Sequence, residues 1–221
     1  MNCGAVPDII GETTIPLIYI CRISREIISR TPAEKGHTMH RTSAETIRKY
    51  KALYRFLNRF DPISSDCGFL CGAACCQDAD GELGIYMLPG EELLHRETEG
   101  FLTLSEEDAA EFDFPESWGP VIHLAACPGP ARCIREIRPV QCRTFPLMPY
   151  ITEEGSLEMI YNDNELPYEC PLIKQEIPLN DDFVRATRTA WKHLLRDPRI
   201  RDLVLLDSEA LREAMEEQED R

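Results

Sequence analysis

Four cysteines within ten residues constrain this chain more than any other feature of its sequence. Residues 67–76 read CGFLCGAACC, and four more cysteines follow downstream. Zinc sites and iron–sulfur clusters are both commonly built from four thiolates, and zinc ligands often pair across a short turn. We therefore predict a site that holds zinc or an iron–sulfur cluster, with the choice of metal left open. The predicted ligands are Cys67, Cys71, Cys75, Cys76, Cys127, Cys133, Cys142 and Cys170.

The local sequence around the first four cysteines suits a tight metal-binding turn. Gly68 and Gly72 each follow a cysteine, and glycine permits backbone conformations in which amide groups fold toward the sulfurs. Cys75 and Cys76 are adjacent, and adjacent side chains of an extended segment point in opposite directions. Such a pair either serves two metals or needs a special turn. Eight cysteines suit two four-ligand sites, or one cluster and one zinc, and their spacing does not assign sulfurs to metals.

The expected compartment favours reduced thiols. No apolar run reaches the roughly 18 residues that span a bilayer. The apolar segment 15–20 follows Asp8 and Glu12, where a signal peptide would carry Lys or Arg. We expect a cytoplasmic protein, in which thiols bind metal or react more often than they form disulfides. Two other interpretations stay open, namely a disulfide framework, which requires export, and redox switching by vicinal thiols.

The charge balance bears on partners. With 24 basic and 39 acidic residues the formal net charge is 24 − 39 = −15. Such a surface repels nucleic acid and anionic membranes, so we expect neither as a partner, and a protein partner stays open. Acidic residues concentrate in 91–116 and 213–220, which we interpret as solvated, solubilising surface. The basic residues of the first helix are likewise interpreted as a solvated face.

The pattern of predicted elements indicates an α+β fold. We expect a small loop-rich domain with cysteine-ligated metal, short strands and hairpins, and flanking helices. Residues 1–40 are interpreted as a poorly ordered extension, with a mis-assigned start as one explanation; residues 41–197 as the metal-binding domain; and residues 198–221 as an acidic helical tail. Hydrophobic periodicity and cap residues predict helices at 44–59, 91–96 and 180–196, strands at 83–88 and 121–126, and a hairpin of 148–152 with 157–161. Asn180 is expected to cap the last of these helices. Ser105 is expected to begin a further helix through a capping box, and Ser208 to cap another.

Cationic and imidazole side chains near the cysteines are the other candidate site residues. Arg138 and Arg143 flank Cys142, and a guanidinium beside a thiolate lowers its pKa and donates to sulfur. We predict that both bind the cofactor, and surface ion pairs are the alternative. His123 is interpreted as structural, with metal ligation as the alternative, whereas His95 and His193 are expected on helix surfaces.

Catalytic motifs are not evident in this sequence. It contains no GxSxG, no HExxH and no phosphate-binding glycine loop. The spacing of Cys67, Cys71 and Cys75 differs by one residue from the C-x3-C-x2-C pattern of radical-SAM enzymes, and no alternation of strands and helices suggests a barrel. Catalytic residues therefore stay unassigned.

Two cysteine blocks together resemble a known family. The first is Cys67-x3-Cys71-Gly72-x2-Cys75-Cys76, and the second runs from Cys133 to Pro146 and contains RPxxCRxFP at residues 138–146. They resemble the YkgJ-type cysteine-cluster family (CxxCxxCC), described as zinc- or iron-chelating domains, over residues 43–197. Both gaps of the first block are one residue longer than the family pattern.

The resemblance implies metal binding and leaves the role of the metal open. Some relatives are described as flagellin lysine methylases, which implies an iron–sulfur-dependent protein-modifying enzyme as one alternative. A zinc-stabilised protein-interaction module is the other, since a structural metal closes loops that a small core cannot hold.

Overall fold

The computed structural model describes residues 21–22, 41–77, 83–96, 101–162 and 168–219. These residues form helices and small antiparallel sheets, so the α+β class is confirmed. The strands are β1 (Cys21–Arg22), β2 (Leu83–Tyr86), β3 (Thr103–Asp108), β4 (Val121–Ala126), β5 (Leu147–Ile151) and β6 (Leu157–Tyr161). The α-helices are α1 (Arg41–Leu57), α2 (Gly68–Cys71), α3 (Glu92–Arg96), α4 (Val140–Thr144), α5 (Pro171–Lys174), α6 (Asp181–Leu194) and α7 (Pro198–Glu219).

Two antiparallel sheets organise the described residues. One has the strand order β1-β2-β4-β3, and the other is the β5-β6 hairpin. In the first sheet Ala126, the last residue of β4, is paired with both Gly84 and Thr103. Cys127 therefore follows directly at this end of the central strand β4. Strand β4 has the predicted bounds, and the predicted hairpin is confirmed with β5 beginning one residue earlier.

Helices α1, α6 and α7 enclose the core with the two sheets. The apolar stripe predicted for α1 is buried at Ile47, Tyr50, Tyr54 and Leu57, as expected for positions three or four residues apart. The basic side chains of Arg48, Lys49, Lys51 and Arg55 in α1 are exposed, as predicted for a solvated face. The predicted inward face of α6 is also buried, comprising Phe183, Thr187, Ala190, Trp191 and Leu194.

The start of α6 depends on a contact that differs from the predicted side-chain cap. Asn180 precedes the helix, but its side chain does not cap it. The amide Nδ2 of Asn180 instead donates to the carbonyl oxygen of Asp61 at 2.9 Å, and its backbone N–H donates to Pro62. Asn180 thus joins the start of α6 to the loop that precedes the first cysteines.

The prediction that Ser208 begins a separate last helix is wrong. Helix α7 runs without interruption from Pro198 to Glu219, and Ser208 is fully buried within it. Its hydroxyl donates to Val204 O at 2.6 Å and accepts from Ile151 N at 2.9 Å. The serine therefore satisfies a backbone donor of β5 and fastens α7 to the hairpin.

The prediction of a helix capped by Ser105 is also wrong. Residues 103–108 form β3 and pair with β4 along its whole length. The cap is instead Asp108, whose carboxylate accepts from Ala110 N at the start of a 3₁₀ turn. The capping-box pattern was outweighed by cross-strand pairing, which local sequence does not report.

None of the helices in the described ranges combines the length and the apolar character needed to cross a bilayer. The prediction for residues 1–40 lies outside the described residues, apart from Cys21–Arg22, which pair with β2.

Gly90 and Gly155 offer a matched test of how closely α1 packs on the turn before α3. Both have a positive φ, but a Cβ added at Gly90 would lie 2.5 Å from Thr46 Cγ2, whereas nothing lies within 4 Å at Gly155. We expect Gly155→Ala to cost about 1–2 kcal/mol from the left-handed backbone alone. Gly90→Ala should cost about 1–3 kcal/mol more, because the β-branched Thr46 cannot move aside without repacking. Urea unfolding of both variants measures the difference, and equal losses would contradict the tight packing.

Candidate metal centre

The first cysteine segment is a helical turn followed by a reversal. The Asp66 carboxylate accepts from Gly68 N at 2.9 Å, and α2 ends at Gly72, which is left-handed with φ 64°. Ala73 is also left-handed, with φ 60°, a conformation that costs a non-glycine residue about 1–2 kcal/mol. The role predicted for Gly72 is confirmed in its backbone conformation, and this reversal directs the chain toward Cys75.

A 3₁₀ turn sets the directions of the adjacent cysteines. Residues Ala74–Cys76 form this turn, in which successive side chains are about 120° apart instead of opposed. The Sγ atoms of Cys75 and Cys76 lie 3.8 Å apart. Of the two alternatives for an adjacent pair, a special turn is therefore present, and service to two metals stays a prediction. All eight cysteines from Cys67 to Cys170 are free thiols.

The second cysteine segment consists of turns between β4 and α4. Cys127 follows β4, Cys133 follows the 3₁₀ turn Pro130–Arg132, and Cys142 lies within α4. The two segments approach closely, since a Cβ added at Gly129 would lie 3.8 Å from the carbonyl oxygen of Cys76. Thiols separated by 66 residues in sequence, Cys76 and Cys142, thereby come to face the same space.

Six of the eight predicted ligands line one cavity of about 150 Å³. That volume is about tenfold the space that one water molecule needs. Cys71 and Cys170 are not among the lining residues, but Tyr168, two residues before Cys170, lines the cavity. Cys142 lies deep in the protein yet is open to a water-sized molecule, because it faces the cavity. The lining cysteines are Cys67, Cys75, Cys76, Cys127, Cys133 and Cys142.

Arg138 lines the cavity together with these thiols. Its positive charge lowers the pKa of Cys76, Cys127, Cys133 and Cys142, although burial outweighs it at the last three. Its Nε is buried and has no hydrogen-bond partner among the described residues. The guanidinium is therefore positioned to offset thiolate charge, and its Nε–H is available as a donor. That Arg138 binds a cofactor stays a prediction.

Burial and hydrogen bonding separate the protonation of the adjacent thiols. The hydrogen bond between the two sulfurs lowers the pKa of Cys76 to about 7 and raises the pKa of Cys75. Burial raises the pKa of Cys67, Cys133 and Cys142, so these thiols are protonated near neutral pH when no metal ion is bound. A bound metal ion would reverse that preference, because a coordinating thiol is deprotonated outright.

Arg143 has a different environment from Arg138. Its guanidinium donates to the carbonyl oxygens of Arg138 and Arg135 and to the side chain of Asn58, and it lies 4.3 Å from the ring centroid of Tyr54. Burial lowers its pKa to about 10. Arg143 lines the cavity, but its N–H groups donate to backbone and amide oxygens. It fastens the loop that carries Arg138 to α1, and its predicted contact with a cofactor stays a prediction.

A buried carboxylate holds α4 in place. Glu91 is fully buried and accepts from Tyr54 Oη at 2.5 Å, Val140 N at 2.8 Å and Leu88 N at 3.2 Å. Burial raises the pKa of Glu91, and these three hydrogen bonds oppose that rise. The interpretation of the acidic stretch 91–116 as solvated is therefore wrong at Glu91 and also at buried Glu92.

The three histidines within the described ranges do not line the thiol cavity. His95 was predicted on a surface and is instead buried, with Nε2 3.0 Å from Tyr54 Oη. Since Tyr54 donates its one proton to Glu91, His95 Nε2–H donates to Tyr54. His123 lies on β4, 3.8 Å from Glu92 and 3.9 Å from Glu106, and does not line the cavity. His193 is exposed on α6, as predicted.

The residues at the cavity fit a thiolate-bound metal in their chemistry. Soft thiolates select zinc and iron–sulfur clusters, and the charge of the half-buried Arg138 acts on these thiols. No three His, Cys, Asp or Glu side chains within the described ranges are already spaced to hold one metal ion. The thiols therefore surround a space in this structure without forming a closed ligand cage, which leaves zinc and a cluster equally admissible.

Tyr168 and Gln141 are among the cavity-lining residues that sequence reasoning did not single out. Tyr168 packs edge-on against Phe145, with ring centroids 6.2 Å apart, and burial followed by the Cys75 charge raises its pKa. Gln141 is buried, and its Nε2 donates to Tyr86 O at 2.7 Å. Gln141 precedes Cys142, and Tyr168 lies two residues before Cys170. This closeness in sequence was the available signal, since a residue near a ligand often lines the same site.

Comparison of the chain with protein-family models, with curated proteins and with solved structures found no match. The resemblance to the YkgJ-type family therefore stays a prediction that depends on the two cysteine blocks.

His95 predicts a loss of stability in acid. Burial and Arg143 lower its pKa from an unfolded value near 6.5 to about 4. A depressed histidine pKa stabilises the fold above pH 6.5, and this contribution is lost as the pH falls toward 4. We expect the free energy of unfolding to lose about 3 kcal/mol more in the wild type than in His95→Gln over that interval. Urea unfolding at a series of pH values measures the difference.

His193→Gln is the matched control, because His193 is exposed. Its acid profile should follow that of the wild type, and acid effects on the thiols are shared by all three proteins. Parallel profiles for His95→Gln and the wild type would contradict the buried, neutral His95.

Proposed function

We propose that this protein is a cysteine-cluster metal-binding protein, which holds zinc or iron–sulfur clusters through up to eight thiolates. The observation that carries the proposal is the approach of thiols from separate turns to one cavity that also contains Arg138. Six thiols on one cavity wall are hard to explain as packing, because buried cysteines usually act as single small hydrophobes.

The metal would mainly organise the loops. The cysteine segments are short turns, and α2 and the turn Ala74–Cys76 contain no buried residues. Such segments have few apolar contacts to hold them, so ligation would contribute directly to their folding. Cys67, Cys75, Cys76, Cys127, Cys133 and Cys142 would hold metal at the cavity, with Cys71 and Cys170 beside them. When bound, zinc would supply cross-linking alone, and an iron–sulfur cluster would add electron transfer.

Arg138 and Arg143 would serve the centre in different ways. Arg138 would offset the negative charge of the thiolates and donate to sulfur. Arg143 would hold the backbone of Arg138 and Arg135 against α1, so that the cation keeps its position. Neither role requires these residues to touch the metal.

Anaerobic purification with elemental analysis tests the proposal. We expect the wild type to contain zinc or iron, and Cys71→Ser and Cys142→Ser to lower metal content and melting temperature together, because apo ligands rarely stay organised. Cys3→Ser and Cys21→Ser should change neither quantity. Full metal content and an unchanged melting temperature in Cys142→Ser would contradict the ligand assignment.

The identity of the bound metal distinguishes the alternative functions. Iron with acid-labile sulfide would favour a redox protein or a protein-modifying enzyme. Zinc alone would favour an interaction module. For that version Phe69 and Leu70, which are 88% and 49% exposed between two proposed ligands, offer an apolar contact surface.

Arg138→Met tests the role of the cation at the thiols. Loss of this charge should weaken metal retention by about 10-fold, the lower end of the effect of outer-shell changes at metal sites. Arg138→Lys should retain part of the effect, since it keeps the charge. The rate of metal transfer to a chelator measures retention. Arg132→Met, at an exposed position one residue before Cys133, is the control, and equal rates for Arg132→Met and Arg138→Met would contradict the role.

A further inference from the structure

A second cavity lies between helices α1 and α6, and it shares no lining residue with the thiol cavity. Its volume is about 470 Å³, which is within the range of roughly 300–1,000 Å³ that is typical of binding clefts. Most of the described residues that line it are apolar, namely Ala52, Leu53, Phe56, Ala190 and Leu194. We call this cavity the basic groove because of its other lining residues.

The charged groups at the groove are cations. Lys49, His193 and Arg196 line it and are exposed, and none of the lining residues within the described ranges is acidic. Asp197, which follows Arg196, is reached by the charge of Lys49, but both of its carboxylate oxygens are bonded to Arg199. On a chain with a formal net charge of −15, an apolar groove with cations at its rim favours an acidic, partly apolar occupant.

The C-terminal part of α7 has these complementary features. Leu211 packs against the core, whereas Met215, one turn later on the same face of the helix, is 62% exposed. Glu213, Glu216 and Glu217 are exposed beside it. The apolar face of α7 therefore continues past the core and is accompanied by carboxylates. We call residues 213–217 the acidic end of α7.

The acidic end and the basic groove match in chemistry. A methionine side chain is flexible and makes favourable contacts with aromatic rings, so Met215 suits the apolar lining that includes Phe56. The carboxylate of Glu216 beside it would face Lys49 and Arg196. At physiological ionic strength the Debye length is about 8 Å, so these local contacts outweigh the repulsion between two chains of the same net charge.

The positions of the two features require a second molecule. Arg196 lies just before α7 begins at Pro198, and Met215 lies roughly 25 Å further along the axis at 1.5 Å per residue. Because α7 is one uninterrupted helix, its acidic end cannot fold back into the groove of its own chain. Two copies with antiparallel α7 helices would bring each acidic end to the groove of the other, and such a two-fold pairing closes both contacts.

We infer that the protein self-associates as a two-fold dimer, in which the acidic end of α7 from each copy docks in the basic groove of the other. The partner at this surface is therefore a second copy of the chain. The inference is independent of the proposed metal-binding function, because it involves none of the residues at the thiol cavity.

Sedimentation velocity of the full chain over micromolar to millimolar concentrations tests the inference. We expect the wild type to dimerise, and more weakly as the salt concentration rises. Lys49→Glu/Arg196→Glu and Glu216→Lys/Glu217→Lys should each raise the dissociation constant by about 10-fold or more, because like charges would face each other. Met215→Ser should also weaken the dimer, since it removes the apolar contact.

An equimolar mixture of the two charge-reversed variants is the most specific test. The groove variant keeps its acidic end, which fits the unchanged groove of the helix-end variant. The reversed groove in turn meets the reversed helix end, so both contacts of the mixed dimer again join opposite charges. The mixture should therefore dimerise, although neither variant does so alone. Glu111→Lys/Asp113→Lys, which reverses two exposed charges elsewhere, is the control and should dimerise like the wild type.

A monomeric wild type, a mixture that stays monomeric, or charge-reversed variants that dimerise like the wild type would overturn the inference. A monomeric wild type that laurate stabilises against heat would assign the groove to a small anionic amphiphile and would also overturn it. Metal content should be the same in the wild type and in every variant, so a failure here leaves the proposed function intact. If the groove variant fails to fold, Met215→Ser and the helix-end variant, whose altered residues are exposed, still decide the question.

Discussion

The buried carboxylate of Glu91 is the interaction on which the arrangement of the thiols depends. It accepts hydrogen bonds from α1 through Tyr54, from its own turn through Leu88, and from the first residue of α4, Val140. A carboxylate without these donors would be too costly to bury, so the three segments must be present together. Because Val140 lies two residues before Cys142, this contact sets the position of a proposed ligand.

Arg143 extends the same network to the cavity. Its guanidinium stacks on the ring of Tyr54, whose hydroxyl bonds Glu91, and it binds the backbone of residues 135 and 138. A second connection passes through Asp61. Its carboxylate forms an ion pair with Arg135, and its carbonyl oxygen accepts a hydrogen bond from the Asn180 side chain. The loops on one side of the cavity are thus held by charge and hydrogen bonds. The first cysteine segment has fewer such contacts, which is where metal ligation would stabilise most.

The charged residues that line the cavity differ in balance from those of the chain as a whole. The chain has a formal net charge of −15, yet Arg138 and Arg143 are both next to the thiols. A cation beside buried thiols lowers the cost of converting them to thiolates. The cavity lining has three arginines, Arg135, Arg138 and Arg143, against two aspartates, Asp61 and Asp66, so basic side chains outnumber acidic ones there although the chain as a whole is acidic.

The sequence by itself determined the elements whose periodicity or turn residues are local. The apolar stripe of α1, strand β4, the β5-β6 hairpin and the inward face of α6 follow from side-chain alternation and helical spacing, which act within a few residues. The cysteine spacing likewise indicated a metal site and its eight candidate ligands. The segment around Ser105 was misread because its pairing with β4 is not a local property.

Only the tertiary structure decided which thiols are neighbours, that Arg138 faces them while Arg143 braces the loop, and that Glu91 and His95 are buried. In sequence Glu91 belongs to an acidic run that is typical of a surface, and nothing near it reveals the donors Tyr54 and Val140, which are 37 and 49 residues away. Burial and charge pairing depend on distances between remote segments, and those distances exist only once the chain has folded.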